Sequence, residues 1–184
     1  PDFAPWREAA LKYGYASSIA FPLKGNDNFI FGAINIYSKE PDGFSAEEVK
    51  LLLELADDLA YGITTLRAQK ELQISENKFR NMFDFSPISM ILNDIEGKIM
   101  DCNQTALDES GYLLRKECIG KNVFDFLDIS YQEKGREKWT EALKKGFVNN
   151  FEIISINKKG ERRNAIFSAT TLLNISNMPY SMLV

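Results

Sequence analysis

The most informative absence in this 184-residue sequence is histidine, of which there is none. Histidine is the usual general base near neutral pH and the commonest metal ligand, so its absence removes the ordinary basis for both kinds of site. The glycine-rich phosphate-binding patterns GxxxxGK[ST] and GxGxxG are absent as well. We therefore predict no catalytic site and no metal site within these residues.

Cysteine is the next scarce residue type, since Cys102 and Cys118 are the only two. Their spacing matches neither a metal-binding motif nor a redox motif, and free thiols are typical of cytosolic proteins. We therefore expect a cytoplasmic protein without disulfides.

Long apolar runs and concentrated positive charge are missing too. No stretch approaches the ~18 apolar residues that a membrane span requires. The 22 basic residues are scattered among 26 acidic ones, which argues against a nucleic-acid partner. The 45% of hydrophobic residues is enough for a globular core. Because the chain opens with Pro1-Asp2 and carries no signal peptide, we expect an excised part of a longer protein.

The stretch from Ser45 to Asp84 predicts one long helix. Ser45 precedes an apolar-periodic run and Glu48 follows three residues later, which is the pattern of a capping box. No proline interrupts this stretch before Pro87, and a helix of some forty residues is about 60 Å long. Such a length indicates a connector or a coiled coil.

Apolar residues in this helix repeat with the four-three spacing of a heptad seam. In frame, the seam continues into the polar Lys70, Gln73 and Asn77, whereas apolar residues resume out of phase at Leu72. Such a step locally overwinds a supercoil. Two interpretations remain open: the helix packs on its own domain, chiefly over residues 46–62, or it pairs with a second copy, chiefly over residues 63–78. We predict a parallel homodimer whose signalling helix uses Leu52, Leu59, Ile63, Leu66 and Leu72.

The residues before this helix combine a short helix with two strands, over residues 17–24 and 29–37. The segments PWREAALKYGYASSIAFPL and FGAINIYSKEPDGFSAEEVKLLLELADDLAYGI resemble the C-terminal half of a GAF domain of bacterial and archaeal sensor kinases. The resemblance implies a sensory or dimerising module and assigns no ligand. We assign residues 1–66 to an incomplete GAF-like domain and residues 45–84 to the linker helix.

Beyond the helix, strand and turn signals follow the order β-β-α-α-α-β-β-β. The strands are predicted over residues 88–93, 98–102, 151–157, 162–173 and 178–184. This order predicts an antiparallel five-stranded sheet with helices on one face, which is an α+β fold.

Three segments of this region resemble a PAS domain: SENKFRNMFDFSPISMILNDIEGKIMDCNQTALDESGY, ECIGKNVFDFLD and KKGERRNAIFSATTLLN. Asn103 stands where the family often carries an asparagine after its second strand. The resemblance covers residues 79–184 and implies a sensory module whose last strand is cut short at the chain end.

Strand alternation places Phe151, Ile153 and Ser155 on one face, beside Ala165, Phe167 and Ala169 of the neighbouring strand. The small side chains of Ala165 and Ala169 leave room for a cavity. The alternative is that the apolar residues of this domain fill the core, and both interpretations remain open. The residues of such a filled core would be Ile91, Leu107, Tyr112, Phe124, Phe126, Leu127, Ile154, Phe167 and Trp139. The side chain of Asn103 has two candidate hydrogen-bond partners, a ligand and the main chain of a strand-to-helix turn. For a ligand pocket we expect a lining of Ile91, Cys102, Asn103, Leu107, Tyr112, Phe124, Phe126, Leu127, Ile154 and Phe167.

The sequence requires no cofactor. Haem held by histidine is excluded. The flavin-binding photosensors of the PAS family carry a reactive cysteine in an Asn-Cys-Arg-Phe motif, whereas the order here is Asp101-Cys102-Asn103-Gln104, so we expect no flavin photoadduct. A small apolar ligand, a carboxylate ligand or no ligand remain.

We predict the sensory input and dimerisation fragment of a signal-transduction protein, of which a two-component sensor histidine kinase is the preferred parent. In this hypothesis a change in one domain alters helix packing near residues 66–72. A nucleotide cyclase or a transcriptional regulator is an alternative parent, and a passive dimerisation scaffold is an alternative role. Enzymatic activity of these residues is not expected, because no activated nucleophile is recognisable.

Overall fold

The computed structural model describes residues 4–25 and 27–184, so residues 1–3 of the predicted first domain lie outside the described residues. The chain forms two compact units, and the boundary between them falls between Glu76 and Asn77. None of the helices in the described part of the chain combines the length and the apolar character needed to cross a bilayer.

The first unit contains helix α1 (Ala4–Tyr13), strand β1 (Ser17–Lys24), strand β2 (Ile30–Ser38) and most of helix α2 (Ala46–Asp84). β1 and β2 form an antiparallel pair. One face of this pair packs on α2, where Phe21 and Leu23 are buried with Ala56 and Ala60 of the helix. The two alanines allow this close approach of helix to sheet because their side chains are small.

Helix α2 begins with the capping box that the sequence predicts. The main-chain N–H of Glu48 donates to the hydroxyl of Ser45 at 3.2 Å, and the N–H of Ser45 donates to the Glu48 carboxylate at 2.7 Å. These bonds satisfy donors that a helix start otherwise leaves open. The pKa of Glu48 is lowered because the N–H and the hydroxyl of Ser45 both donate to its carboxylate. The helix continues unbroken for 39 residues, about 58 Å.

The second unit is a five-stranded antiparallel sheet with helices packed on one face, as predicted. Its strands are β3 (Ile91–Asn93), β4 (Ile99–Cys102), β5 (Phe147–Ile156), β6 (Arg162–Leu173) and β7 (Pro179–Leu183). They lie in the order β4-β3-β7-β6-β5. Between β4 and β5 come α3 (Gln104–Ser110), α4 (Arg115–Cys118), a 3-10 turn (Val123–Phe126) and α5 (Ile129–Lys145).

The core of the second unit lies between α5 and the sheet. Trp139 and Ala142 of α5 pack there with Phe124 of the 3-10 turn and with residues of the central strands, including Met182. The indole N–H of Trp139 donates to the carbonyl of Ile95 at 2.9 Å, so this large side chain is buried without losing its hydrogen bond. The core therefore fixes α5 and the 3-10 turn against one part of the sheet.

Two strands begin three or more residues away from the predicted position, whereas the other boundaries agree to within one residue. β3 begins at Ile91 rather than at residue 88, because the side chain of Asn103 binds the main chain of Ile88 and Met90 and takes the place of a strand partner. β5 begins at Phe147 rather than at residue 151, and it contains an irregular register near Asn150, whose φ is 54°.

Candidate ligand-binding site

A cavity of about 620 Å³ lies within the second unit. Its walls come from the segment before β3, from α3, the 3-10 turn, α5, β5, β6 and the end of β7. The apolar lining residues are Ile88, Met90, Ile91, Ala106, Val123, Phe124, Phe126, Leu127, Phe151, Ile153, Ile156, Ala165, Ile166, Phe167, Leu183 and Val184. A volume of this size is in the range that binds small organic molecules.

The sheet side of the cavity is formed by β5 and β6. Phe151, Ile153 and Ser155 line it from alternate positions of β5, as do Ala165 and Phe167 from β6. The register pairs Phe151 with Phe167 and Ile153 with Ala165, so these side chains share one face. Ala165 leaves space opposite Ile153 that a larger side chain would fill. The predicted alternation is confirmed for these five residues. The lining also includes Ile166, Ser168 and Thr170 of the other series of β6, and Ala169, which was predicted on the same face as Ala165, is buried in the core instead.

The opposite wall is the 3-10 turn with the start of α5. The side chain of Asn122 accepts a hydrogen bond from the N–H of Phe124 at 3.1 Å and begins this turn. Gly135 of α5 lies so close that an added Cβ would come within 2.6 Å of Leu127 Cδ1 and 3.6 Å of Phe124 Cδ1. A glycine at this position therefore lets α5 approach the turn without displacing the aromatic wall.

Polar groups line the cavity as well: Ser86, Ser89, Glu109, Ser110, Ser155, Asn157, Arg163, Ser168 and Thr170. Several of them bind their own chain. The hydroxyl of Ser155 donates to the carbonyl of Arg163 at 3.3 Å, and that of Ser110 donates to the carbonyl of Ala106 at 2.6 Å. Among the lining residues of the described chain, Arg163 is the only cation and Glu109 the only carboxylate.

The structure divides the ten residues predicted for a pocket into two equal groups. The five that line the cavity are Ile91, Phe124, Phe126, Leu127 and Phe167. The five that lie outside its lining are Cys102, Asn103, Leu107, Tyr112 and Ile154.

These five lie in three different environments. Cys102 and Leu107 belong to a separate buried cluster, and Tyr112 packs against it. Ile154 follows the lining residue Ile153 and therefore faces the other side of β5. The side chain of Asn103, fully buried, binds only main-chain groups: the N–H of Ala106 and of Met90 and the carbonyl of Ile88.

The sequence-predicted lining did not include Arg163 or Gly135. A signal for Arg163 was available, because residues 163, 165 and 167 alternate on one strand and therefore share a face. The role of Gly135 depends on its distance from Leu127, and no local pattern in the sequence indicates that distance.

A family profile of the PAS domain matches residues 87–181, which is more than half of the chain. The chain belongs to the PAS domain family. A profile of the GAF domain matches residues 1–64. PAS and GAF domains are sensory rather than catalytic modules, and their succession gives this chain a sensory role in signal transduction.

Similar proteins agree with this assignment. The methyl sulfide methyltransferase-associated sensor of Methanosarcina acetivorans is 26% identical over 141 residues, which are 76% of this chain and 14% of that protein. The chain thus spans only a small part of this relative's length.

Two solved structures show the PAS fold. The PAS domain of a Colwellia psychrerythraea protein has a TM-score of 0.54 at 18% identity, covering 58% of this chain and 90% of that chain. The PAS domain of an HTR-like protein from Haloarcula marismortui has a TM-score of 0.50 at 20% identity, covering 64% and 93%.

The two thiols of the PAS domain are unsuited to reaction at neutral pH. Cys102 and Cys118 are free and buried. Burial raises the pKa of Cys102 to about 12, and it also raises the pKa of Cys118. Because the thiolate is the reactive form, both side chains act as small apolar residues, as predicted for Cys102.

An ion-pair network, which sequence reasoning missed, connects the end of α2 to the rest of the PAS domain. Arg80 of α2 pairs with Asp101 at 2.6 Å. Arg115, the first residue of α4, pairs with Asp84 of α2 and also with Asp101 at 3.5 Å. The network thus links α2 to the end of β4 and to the helical segment whose α3 lines the cavity.

The five residues predicted for a dimer seam have two different environments. Leu52 and Ile63 pack against the core of the first unit. Leu59, Leu66 and Leu72 are 44%, 66% and 61% exposed. The side chains of residues 66–82 are all exposed in the single chain. Only the second group is therefore available to a partner.

Proposed function

We propose that this chain is the ligand-sensing input of a two-component sensor histidine kinase of the cytoplasm. The PAS cavity binds a small molecule, and α2 relays the result within a parallel homodimer. The observation that carries the proposal is the apolar cavity of about 620 Å³. A PAS domain with a filled core would have no space for a ligand.

The connection between cavity and helix supports the relay. α3 contributes Ala106, Glu109 and Ser110 to the lining. Arg115, which begins the next helix, pairs with Asp84 near the end of α2. A ligand that moves α3 and α4 would therefore act on α2 through Arg115, and two arrangements of this network would provide the two states that a switch requires.

The dimer is supported by the exposed part of α2. Isolated helices depend on packing for most of their stability, and a long stretch with no apolar cover is marginal in water. Exposed Leu59, Leu66 and Leu72 provide such a surface. A second copy in parallel would cover these leucines and bring two PAS domains to the same end of the assembly.

Mass spectrometry of the purified chain tests this proposal. The mass per chain under native conditions is compared with the mass under denaturing conditions. We expect dimers whose native mass per chain exceeds the denatured mass by that of a small molecule. The matched variant is Ala165→Phe, which fills the space opposite Ile153 and should lose the extra mass while remaining folded. Dimers without extra mass, even after incubation with a mixture of cell metabolites, would contradict the sensing proposal and favour a passive scaffold.

A further inference from the structure

The chemistry of the cavity restricts the ligand that it can hold. This inference rests on the proposed function, since it assigns a chemical class to the ligand of the same cavity. The walls include the rings of Phe124, Phe151 and Phe167 and the aliphatic side chains of Leu127 and Ile153. Such walls favour an apolar body and disfavour a ligand with polar groups along its length, because those groups would lose their hydrogen bonds to water.

Arg163 adds one positive charge to this apolar lining. It lies on β6 in the alternate series with Ala165 and Phe167, and its register partner on β5 is Ser155, which also lines the cavity. The Arg163 side chain is 57% exposed, and its guanidinium is 3.8 Å from the Glu161 carboxylate. Such a long and exposed ion pair contributes little stability.

Glu161 does not depend on this pair. Its Oε2 atom accepts a hydrogen bond from the side-chain amide of Asn157 at 2.6 Å. Arg163 can therefore turn to another anion without leaving Glu161 unpartnered. A guanidinium binds a carboxylate through two parallel hydrogen bonds, which are stronger than an exposed ion pair at the limit of contact.

Two cations near Arg163 in the chain are engaged with other groups. Lys158 donates to Glu117 at 2.7 Å and lies over the Tyr112 ring at 4.9 Å. Arg162 pairs with the buried Asp128. Neither residue lines the cavity. Arg163 is therefore the cation that a ligand in the cavity would meet.

We infer that the PAS cavity takes an amphipathic carboxylate, with its aliphatic or aromatic body between the sheet and the 3-10 turn and its carboxylate on Arg163. The decisive juxtaposition is a single weakly paired guanidinium beside an aromatic-walled cavity.

The test compares three probes with the same ten-carbon chain: decanoate, 1-decanol and decylamine. Their dissociation constants are measured on the full chain by isothermal titration calorimetry at pH 7 and below their micellar concentrations. We expect decanoate to bind most tightly. Arg163→Gln should weaken decanoate about tenfold or more, in line with the loss of a charge-assisted bidentate contact, and should leave decanol unchanged.

Two further variants serve as controls. Lys159→Gln removes one positive charge from the same β5–β6 hairpin without touching the lining and should change none of the three constants. Arg163→Lys keeps the charge but loses the bidentate geometry, so decanoate should bind with intermediate affinity. Circular dichroism and the unfolding temperature of each unliganded variant verify that the fold is intact.

Each remaining outcome overturns the inference. Equal binding of decanoate and decanol, unaffected by Arg163→Gln, would show an apolar ligand and leave the sensing proposal standing. Tightest binding of decylamine would assign the recognition to Glu109 instead. If no probe binds, the carboxylate class is wrong, and the sensing proposal fails with it only if the native mass spectrum also lacks extra mass.

Discussion

Helix α2 is held by apolar contact in the first unit and by apolar contact together with ion pairs in the second. In the first unit its Ala56 and Ala60 are buried against Phe21 and Leu23 of the sheet. In the second unit Phe83 is buried, but the helix is also held by the ion pairs of Arg80 and Asp84. Apolar contact depends little on salt, whereas partly exposed ion pairs are weak and screened. The difference suggests a fixed attachment at one end of the helix and an adjustable one at the other.

The largest expected effect comes from breaking the fixed attachment. Ala56 is 0% exposed, so Ala56→Glu places an unpaired charge in the contact of helix and sheet. We expect a loss of about 3 kcal/mol or more in the free energy of unfolding of the first unit. Urea denaturation followed by circular dichroism measures it.

The matched control for that change is Ala68→Glu, on the exposed part of the same helix. It should alter the unfolding free energy by no more than about 0.5 kcal/mol. Similar losses for both variants would show that the contact of α2 with β1 and β2 does not hold the first unit together.

Substitutions in the exposed middle of α2 should change the affinity of the dimer rather than the stability of the fold. Lys70→Leu with Gln73→Leu extends the apolar seam in frame, so we expect dimer affinity to rise about tenfold or more, which is about 1.4 kcal/mol. Sedimentation equilibrium measures the dissociation constant. Glu71→Leu with Lys78→Leu adds two leucines off the seam and should change it little. A seam variant that dimerises no better than wild type would mean that the seam is misassigned.

A smaller effect is expected at the adjustable end. Arg115→Gln removes the pairs with Asp84 and Asp101, and we expect a loss of about 1 kcal/mol in the unfolding free energy of the PAS domain. The loss should shrink at high salt, which a titration at two ionic strengths would reveal. The neighbouring Lys116→Gln, on an exposed side chain, should have no comparable effect; if it does, net charge rather than the network is responsible.

The smallest effect concerns an ion-pair cluster that does not involve α2. Lys138 and Lys145 donate to Glu141 within α5 and lower the pKa of Glu141 to about 2. Because the pKa is depressed in the folded state, the added stability is present above the unfolded value of roughly 4.3. It is then lost as pH falls toward 2.

The measurement is the difference in unfolding free energy between wild type and Glu141→Gln at several pH values. We expect the difference to be small near neutral pH and to vanish near pH 2. A difference in unfolding free energy that persists at pH 2, or that grows as the pH falls, would show that the ionised carboxylate of Glu141 is not the source of the stability.

Sequence reasoning succeeded where the cause of a structure is local. The capping box of Ser45 and Glu48 depends on residues three apart, and it was predicted and found. Strand alternation placed Ile153, Ala165 and Phe167 on a shared face for the same reason. The start of β3 was predicted too early, because Asn103, ten or more residues away along the chain, occupies the main chain before Ile91.

The sequence by itself determined the succession of a GAF-like segment, a long capped helix and an α+β PAS domain, because periodicity, caps and turn residues act over a few neighbouring positions. It left open whether the PAS core is filled, and it did not indicate the Arg80–Asp101–Arg115–Asp84 network. Only the tertiary structure decided these points. A cavity depends on how closely Gly135 lets α5 approach Leu127, and an ion pair depends on residues that are 31 positions apart in the case of Arg115 and Asp84. Such distances follow from the packing of whole elements, which no local pattern specifies.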